Sequence, residues 1–590
     1  MIDKLQRIKL THISLALVGL MWVFPFLHFR HRYPLTTFDQ EWWSALLGVL
    51  ALALLLARDF RQKAEIPRIV QLPVALIAVV LLQMSLGMMA YVGQGLLYIL
   101  YLLFAALLMM LGARLRDCLG IDKVAMVLAI CLLTGAELSA LIGVLQHYRW
   151  HTLLDQVVVV KVASGVYGNL AQPNHFANYI ALGLISLGLL FQQRKLPVGY
   201  VVVLAAPLLL VMTLSGSRSG WLYLVMITVL AGWAGRGRPE LRLLLRYALL
   251  LLAGFAVMHG LVQLPFMQGA GNNYNIVQRM FGDNTSGGIR LYLWHEAWLM
   301  FKQSPWLGAG FGQFAWQHFQ LGPWLQRTHI TGLYNNAHNL IFQLAAEAGI
   351  AGLLVLFAGL GMWLNGLRRA AWTAAHWWGY AVLGVLVIHS LLEYPLWYAY
   401  FMAVAAILLG ALDETRYRVA WRGVGRASLV IVLLLGLLSL LQLRSGYQQL
   451  KDTLAIRPAS GNLAAEVQQI RSGLAAVSRG VLLSPYGELF MSSHHEVNKL
   501  RIKQKLARND RVMRFMPVAP VVYRQALLLA QNGQQAQAQL LWEQAIWSYP
   551  GSAEKREQLV KLAEKDPEHF SALLEFALQK EQEYLRAVSN

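Results

Sequence analysis

VYGNLAQPNHFANYI, residues 166–180, sets Asn169, Gln172, Asn174 and His175 where a hydrophobic helix begins. Amide and imidazole groups are costly in a bilayer unless they face protein, water or a ligand. A polar run at this place therefore asks for a partner. The apolar stretch behind it, 174–192, is long enough to cross a bilayer, and it is one of many. Segments 11–29, 42–58, 71–89, 94–112, 123–146, 197–213, 219–235, 244–263, 338–365, 374–392, 396–412 and 427–443 have the same character. The 590-residue chain, 57% hydrophobic and only 14% charged, is thus expected to be an all-α polytopic membrane protein of about 13 transmembrane helices. The basic start MIDKLQRIKL followed by an apolar run has the charge pattern of a signal sequence. The run is long and carries no Ala-x-Ala cleavage site, so it reads as an uncleaved first span.

The formal charge of +20, from 50 Lys and Arg against 30 Asp and Glu, would fit a nucleic-acid binder if it were clustered. Instead it follows the spans. Alternate loops from the N-terminus hold Arg58, Arg61, Lys63, Arg68, Arg114, Arg116, Arg194, Lys195, Arg236, Arg238, Arg416, Arg418 and Arg422, and the opposite loops hold few cations. The positive-inside rule then puts the N-terminus in the cytoplasm and the C-terminal region outside, and no nucleic-acid partner is expected. Cys118 and Cys131, the two cysteines, fall on the inner side or within a span. No disulfide framework serves the outer parts. A bacterial inner membrane with a periplasmic face fits.

On this topology four polar stretches share the outer face. YGNLAQPNH opens the sixth span, and LSGSRSGW (214–221) is a tight turn between the seventh and eighth. The long outer segment 264–337 leads into YNNAHNLIFQLAAEAGIAG, and LLEYPLWYAYF (391–401) is a further short turn. Chance or packing alone would scatter them. The chain divides into a membrane part, 1–443, and a more polar helical part, 444–590, with no further span. Within the latter, VVYRQALLLAQNGQQAQAQLLWEQAIWSYP resembles a tetratricopeptide unit, with Gly533, Ala538, Ala545 and Pro550 at that repeat's positions. A lone unit cannot bury its apolar face, so neighbouring helices must complete it. This outward domain either contacts a partner or caps the fold.

Arg218 stands in a Gly/Ser turn where its guanidinium and nearby N–H groups can approach a phosphate. Arg290, in GGIRLYLWHEAW, is a second outward arginine. Each alone also reads as an arginine snorkelling to the headgroups; the two together suit a pyrophosphate clamp. His338, at the junction of the long outer segment and the tenth span, can take a proton from an attacking hydroxyl, with Asn335, Asn336 and Asn339 to orient it. It also reads as a capping or interfacial histidine. His175 has the same two readings. Gln172 and Asn174 suit sugar or phosphate recognition, and Pro173 suits a first helical turn. Glu393 fits an arginine pair, a share in proton transfer, or a purely structural ion pair. No Asp-x-Asp occurs, so a carboxylate-built divalent-metal site is not expected. No Walker-type loop occurs either, which argues against an ATP-driven pump.

YGNLAQPNHFANY resembles the signature of bacterial protein O-oligosaccharyltransferases of the pilin-glycosylation ligase type. SGSRSGW, SPWLGAGFGQF and NNAHNLIFQLAAEAGIAGLL resemble the wider O-antigen ligase and polymerase superfamily. The similarity covers about Tyr167 to Phe401. It implies a GT-C-like glycosyltransferase at the periplasmic face, with a large periplasmic loop and a C-terminal periplasmic domain. Such enzymes move a glycan from an undecaprenyl-pyrophosphate carrier to Ser or Thr of a protein such as pilin, with no cofactor and no metal. His338 becomes the base, Arg218 and Arg290 bind the pyrophosphate, and Asn169, Gln172, Asn174 and His175 shape the site. Trp377-Trp378-Gly379 superficially resembles metal-dependent N-oligosaccharyltransferases, but the acidic residue expected next is missing and the stretch falls in a span. Two alternatives remain. The same chemistry could act on lipid A-core or extend a polymer. A transporter would carry polar groups near the midplane and often internal repeats, which this chain does not show.

Overall fold

In a bilayer every backbone N–H and C=O must be satisfied within the protein, and a single apolar segment meets that only as a helix. The computed structural model describes residues 2–56, 64–162, 165–267, 269, 285–326, 328, 330–368, 370, 372–419, 423–457, 463–493 and 496–589. Each segment read as a span coincides there with a helix. Among the described residues nine helical segments are long and apolar enough to cross a membrane: Lys9–Leu27, Phe38–Leu56, Arg68–Ser85, Val92–Leu119, Ile121–Tyr148, Pro173–Gln192, Pro239–Leu261, Leu340–Leu367 and Ala427–Ala455. Val198–Leu214, Ser219–Gly235 and Ala399–Ala411 are shorter apolar helices, and Ala374–Ser390 is a further 17-residue helix. The chain is a multi-pass, helical membrane protein. Arg58, Arg61, Lys63 and Arg422, and residues 270–284 of segment 264–337, lie outside the described residues.

The helices pack as two compact units. The first comprises Met1–Ala75, Tyr101–Ser286 and Val355–Leu440; the second comprises Leu76–Leu100, Gly287–Leu354 and Leu441–Asn590.

At the centre of the first unit is helix Pro173–Gln192, against which Ile121–Tyr148, Val198–Leu214 and Ala374–Ser390 pack. Its core is aromatic, and some of its polar handles are paired, while Trp377 Nε1 and the Asn178 amide find no hydrogen-bond partner among the described residues. Trp378 is fully buried and donates through Nε1 to Ser186 Oγ at 3.1 Å. Ser186 Oγ in turn donates to Leu182 O. Tyr179 OH donates to Trp22 O at 2.9 Å, and Phe26 stacks on Tyr179 at 4.1 Å. A buried donor left unpaired would cost about 1–3 kcal/mol, so these bonds fix which faces meet. Trp377 and Trp378 are core residues here, both fully buried.

Basic loops gather at one end of this unit. Arg116 Nη2 reaches both Glu414 carboxylate oxygens, at 2.8 and 2.9 Å, while Nη1 donates to Ala411 O. Asp413 Oδ2 accepts from Ile69 N, and Arg68 lies over the Tyr417 ring. Two of these loops form a structure that the helical expectation did not include, an antiparallel ribbon pairing Ala64–Pro67 with Arg416–Val419.

In the second unit, the helix that begins at Leu340 is broken at Gly349 (φ 60°, ψ −153°), a region of backbone space essentially restricted to glycine. The SPWLGAGFGQF loop fills the break: Ile350 N donates to Pro305 O and Ala351 N to Trp306 O, while Ala309 N and Gly310 N donate to Ala346 O and Glu347 O. Gln83, fully buried, adds bonds to Leu307 O, Glu347 O and Phe311 N. Segment 264–337, expected to be outer, is largely helical where described, with helices Thr285–Gln303, Phe314–Gln320 and Gly322–Leu325.

Among the described residues from Leu463 onward seven helices follow, ending with Pro567–Ser589. The tetratricopeptide-like stretch is a helix pair, Ala519–Gln531 and Gln535–Ser548. Its Tyr523 and Trp542 meet edge to face at 4.8 Å within a core that also takes in Phe570, Leu573, Phe319 and Tyr91.

Candidate functional site

The first unit brings three of the four polar motifs to one end. Helix Pro173–Gln192 starts as its sequence dictates: Gln172 is the N-cap, its side-chain oxygen accepting from His175 N, and Pro173 fills the first turn. Asn169 is 2% exposed. Its Oδ1 accepts from Val159 N at 3.0 Å, and its Nδ2 donates to Leu27 O and Val157 O at 2.8 and 2.7 Å. Both of its N–H groups are thus taken by backbone, and Asn169 braces the loop. His31 Nε2 lies 2.7 Å from Asn169 O and ties the first interhelical loop to it.

Asn174 donates to Glu393 Oε1 at 2.6 Å, joining the Gln-Pro-Asn-His motif to the Leu-Leu-Glu-Tyr-Pro turn. Glu393 is 3% exposed, and its N–H donates to His389 O at 2.7 Å. A carboxylate at such burial needs donors, so an amide partner from the other motif is a physical reason for the two to occur together. His175 sits among ring edges, with His389 at 5.2 Å, Tyr398 at 5.0 Å, Phe401 at 5.4 Å and Tyr394 at 6.0 Å. Burial, with a smaller contribution from the Glu393 carboxylate, pushes the Tyr394 phenol up.

The third motif joins through two contacts. Val166 N donates to Leu214 O, and Tyr223 OH lies 2.9 Å from His389 Nδ1. Tyr223 is on helix Ser219–Gly235, which begins just after Arg218; the arginine itself is exposed. Ser215 Oγ donates to Met212 O and accepts from Ser217 N, which shapes the tight turn before it.

The second unit carries the fourth motif together with Arg290. His338 adopts a left-handed backbone (φ 51°), a conformation that costs a non-glycine residue about 1–3 kcal/mol and persists only where its surroundings enforce it. Here the neighbours do so. Asn336 Oδ1 accepts from His338 N at 3.1 Å, and Gln343 Oε1 accepts from Ala337 N at 2.6 Å. Asn339 caps the next helix, its Oδ1 accepting from Ile341 N and Phe342 N. Asn335 Oδ1 accepts from Asn336 Nδ2 at 2.7 Å, and Asn335 is exposed. The side chain of His338 is half-buried. Arg290, also half-buried, is one turn before Trp294 on helix Thr285–Gln303. Trp294 stacks on Phe342 at 5.3 Å, and Ala337 is buried in the same cluster. Arg290 and His338 are therefore mounted on one packed body.

Asn339 and Gln172 thus act as caps, as Asn169 acts as a brace, while Asn174, His175, Asn335 and Glu393 sit where the motifs meet or the loop is open. Sequence reasoning passed over Gln343 and Glu347, although both stand in a quoted motif. Glu347 Oε1 accepts from Phe314 N at 3.1 Å and caps the helix that follows the glycine loop. Two polar residues in an apolar run were the available signal. Tyr223 and His389 carried the same signal inside predicted spans. The buried pair Glu296 and His318 left no pattern. Among the described residues no three His, Cys, Asp or Glu side chains gather as a metal site would require.

Three family comparisons match. Residues 166–191 match the protein glycosylation ligase family, 203–357 the O-antigen ligase family, and 377–564 the C-terminal region of virulence factor membrane-bound polymerases. Among characterised relatives, a general O-oligosaccharyltransferase of Acinetobacter baylyi is 28% identical over 421 residues, 69% of this chain and 70% of the relative. A ComP-specific O-oligosaccharyltransferase of the same organism is 24% identical over 378 residues, covering 62% of this chain and 65% of that protein. The resemblance carried by the motifs is borne out.

Proposed function

We propose that this chain, a relative of the bacterial protein O-oligosaccharyltransferases, moves a glycan en bloc from undecaprenyl pyrophosphate to a Ser or Thr hydroxyl of a periplasmic protein such as pilin. It works without a metal or other cofactor and inverts the anomeric carbon. It lies in a bacterial inner membrane with about 13 crossings, its site facing the periplasm. The division into a membrane part, 1–443, and a tetratricopeptide-like periplasmic domain, 444–590, belongs to the same proposal.

The observation that carries it is His338, held in a left-handed loop by Asn336 and flanked by the Gln343 and Asn339 bonds, in a chain similar to two O-oligosaccharyltransferases. His338 accepts the hydroxyl proton as the oxygen attacks the anomeric carbon. The new C–O bond forms while the bond from that carbon to the pyrophosphate oxygen breaks, so one displacement inverts the centre. Arg218 and Arg290 bind the pyrophosphate and offset the charge it gains on leaving. The donor is already activated, so positioning and leaving-group electrostatics supply most of the acceleration. Asn174, His175, Asn335 and Glu393 contact the glycan or acceptor; Asn169, Gln172 and Asn339 hold the loops that present them.

The polymerase match over residues 377–564 favours a second reading, with the same displacement on a carbohydrate acceptor. Intact mass of a pilin-like protein, from cells making a lipid-linked glycan, separates the two. A glycan-sized increase with the parent and none with His338→Ala supports protein transfer with His338 as base. No increase, with glycan appearing on lipid A-core or as longer polymer, replaces the acceptor. Equal modification by both versions removes His338 as the base.

A further inference from the structure

We propose that His318 is a positioning residue for His338, anchoring the segment that leads to it at Gly332, and that the C-terminal helix Gln535–Ser548 shares this anchor. The proposal rests on His338 being the base. His318 and Glu296 form a fully buried pair, with Nδ1 2.6 Å from Glu296 Oε2. The other ring nitrogen, Nε2, lies 3.3 Å from Gly332 O. Gly332 is held from its other side as well, its N–H donating to Ser548 O at 2.7 Å. Tyr334, two residues on, meets the His318 ring edge to face at 5.5 Å. Beyond it the segment is pinned again at Ala337 and His338 by the Gln343 and Asn336 oxygens.

The stretch from Gly332 to His338 is thus tethered at both ends. Its near tether comes from helix Thr285–Gln303 through Glu296, from helix Phe314–Gln320 through His318, and from helix Gln535–Ser548 through a main-chain carbonyl. A residue strained into φ 51° keeps that conformation only under such constraint, and proton transfer is sensitive to sub-ångström placement of the accepting nitrogen. A buried histidine and glutamate that do no chemistry are expensive to retain for packing alone. Fixing the approach to the base accounts for them.

Removing one member of the pair would strand the other and endanger folding. Replacing both with apolar residues of similar volume is commonly close to neutral, so the decisive variant is Glu296→Leu with His318→Leu. The full-length enzyme is assayed in membrane vesicles with lipid-linked oligosaccharide extracted from the producing cells and a pilin-like acceptor. We expect kcat to fall about tenfold or more, with KM for the donor within about twofold of the parent. In a His338→Ala background the same double replacement should leave the residual rate unchanged, because a misplaced base cannot matter once the base is gone. A parental kcat, or an equal fractional loss in the His338→Ala background, overturns the proposal while leaving the base assignment intact. Full activity of His338→Ala itself removes both together. Should the pair variant fail to fold, Gly332→Ala decides. Gly332 has φ 95° and nothing within 4 Å of an added Cβ, so the substitution strains only this tether. The same loss of kcat is expected, and an unchanged kcat rejects the tether.

Discussion

Gly349→Ala tests the joint on which the second unit is built. An alanine Cβ at this position would stand 2.5 Å from Pro305 O and 2.7 Å from both Gly308 N and Trp306 C, all main-chain atoms that no rotamer change can clear. The backbone region alone costs a non-glycine residue about 1–3 kcal/mol, and forcing a methyl into a packed backbone costs about 1–3 kcal/mol more. A loss of about 2–6 kcal/mol follows. The chain's escape is to close the helix through residue 349, but Ile350 and Ala351 would then withdraw their N–H groups from Pro305 and Trp306. Two carbonyls left without donors cost about 1–3 kcal/mol each where buried. Thermal unfolding of the detergent-purified protein, followed by tryptophan fluorescence, measures the effect. Gly260→Ala is the control: this glycine is in helix Arg242–Leu261 with nothing within 4 Å of its Cβ position, and alanine should gain about 0.5–1 kcal/mol there. If Gly349→Ala melts with the parent, the break is not needed and the account of this joint is wrong.

Arg218→Lys keeps the charge but loses the planar fork, so transfer should fall about ten- to hundredfold, the equivalent of one charge-assisted hydrogen bond; initial rates at saturating donor measure it, and a parental rate dismisses the phosphate role. Burial pushes the Tyr523 phenol up to about 12 from an ordinary value near 10. The folded state therefore holds this proton more tightly than the unfolded chain does. The associated stability, about 2–3 kcal/mol, is fully present below pH 10 and is lost as pH rises from 10 towards 12. Tyr523→Phe should flatten that alkaline decline in denaturant midpoints, and an unchanged slope would place its origin elsewhere.

Apolar length alone located the helices, because a bilayer leaves the backbone no other choice. Interruptions inside those runs were less visible. Gly349 stands in AGIAGLL, which hydropathy treats as continuous, and only the loop that replaces the missing hydrogen bonds makes the break stable. The ribbon joining Ala64–Pro67 to Arg416–Val419 pairs loops far apart in sequence, and no local pattern announces it. At the site, the polar motifs stood out because their groups are costly among apolar neighbours, and Asn174 with Glu393 shows two of them meeting. Whether a polar residue serves ligand or backbone was not legible. Asn169, Gln172 and Asn339 all belong to conspicuous motifs, yet the side chain of each is hydrogen-bonded to main chain. Glu296 and His318 escaped notice because nothing in their spacing marks a pair that only the folded chain brings to 2.6 Å.

The bond from Gly332 N–H to Ser548 O has a consequence for biosynthesis. Ser548 is translated 216 residues after Gly332, which at about 5–20 residues per second is a delay of roughly 10–40 s. During that interval the preceding helices can already be threaded into the membrane while the His338 segment still lacks one of its ties. On the proposal that His338 is the base and Gly332 its anchor, a chain still on the ribosome lacks that anchor until helix Gln535–Ser548 has emerged and docked.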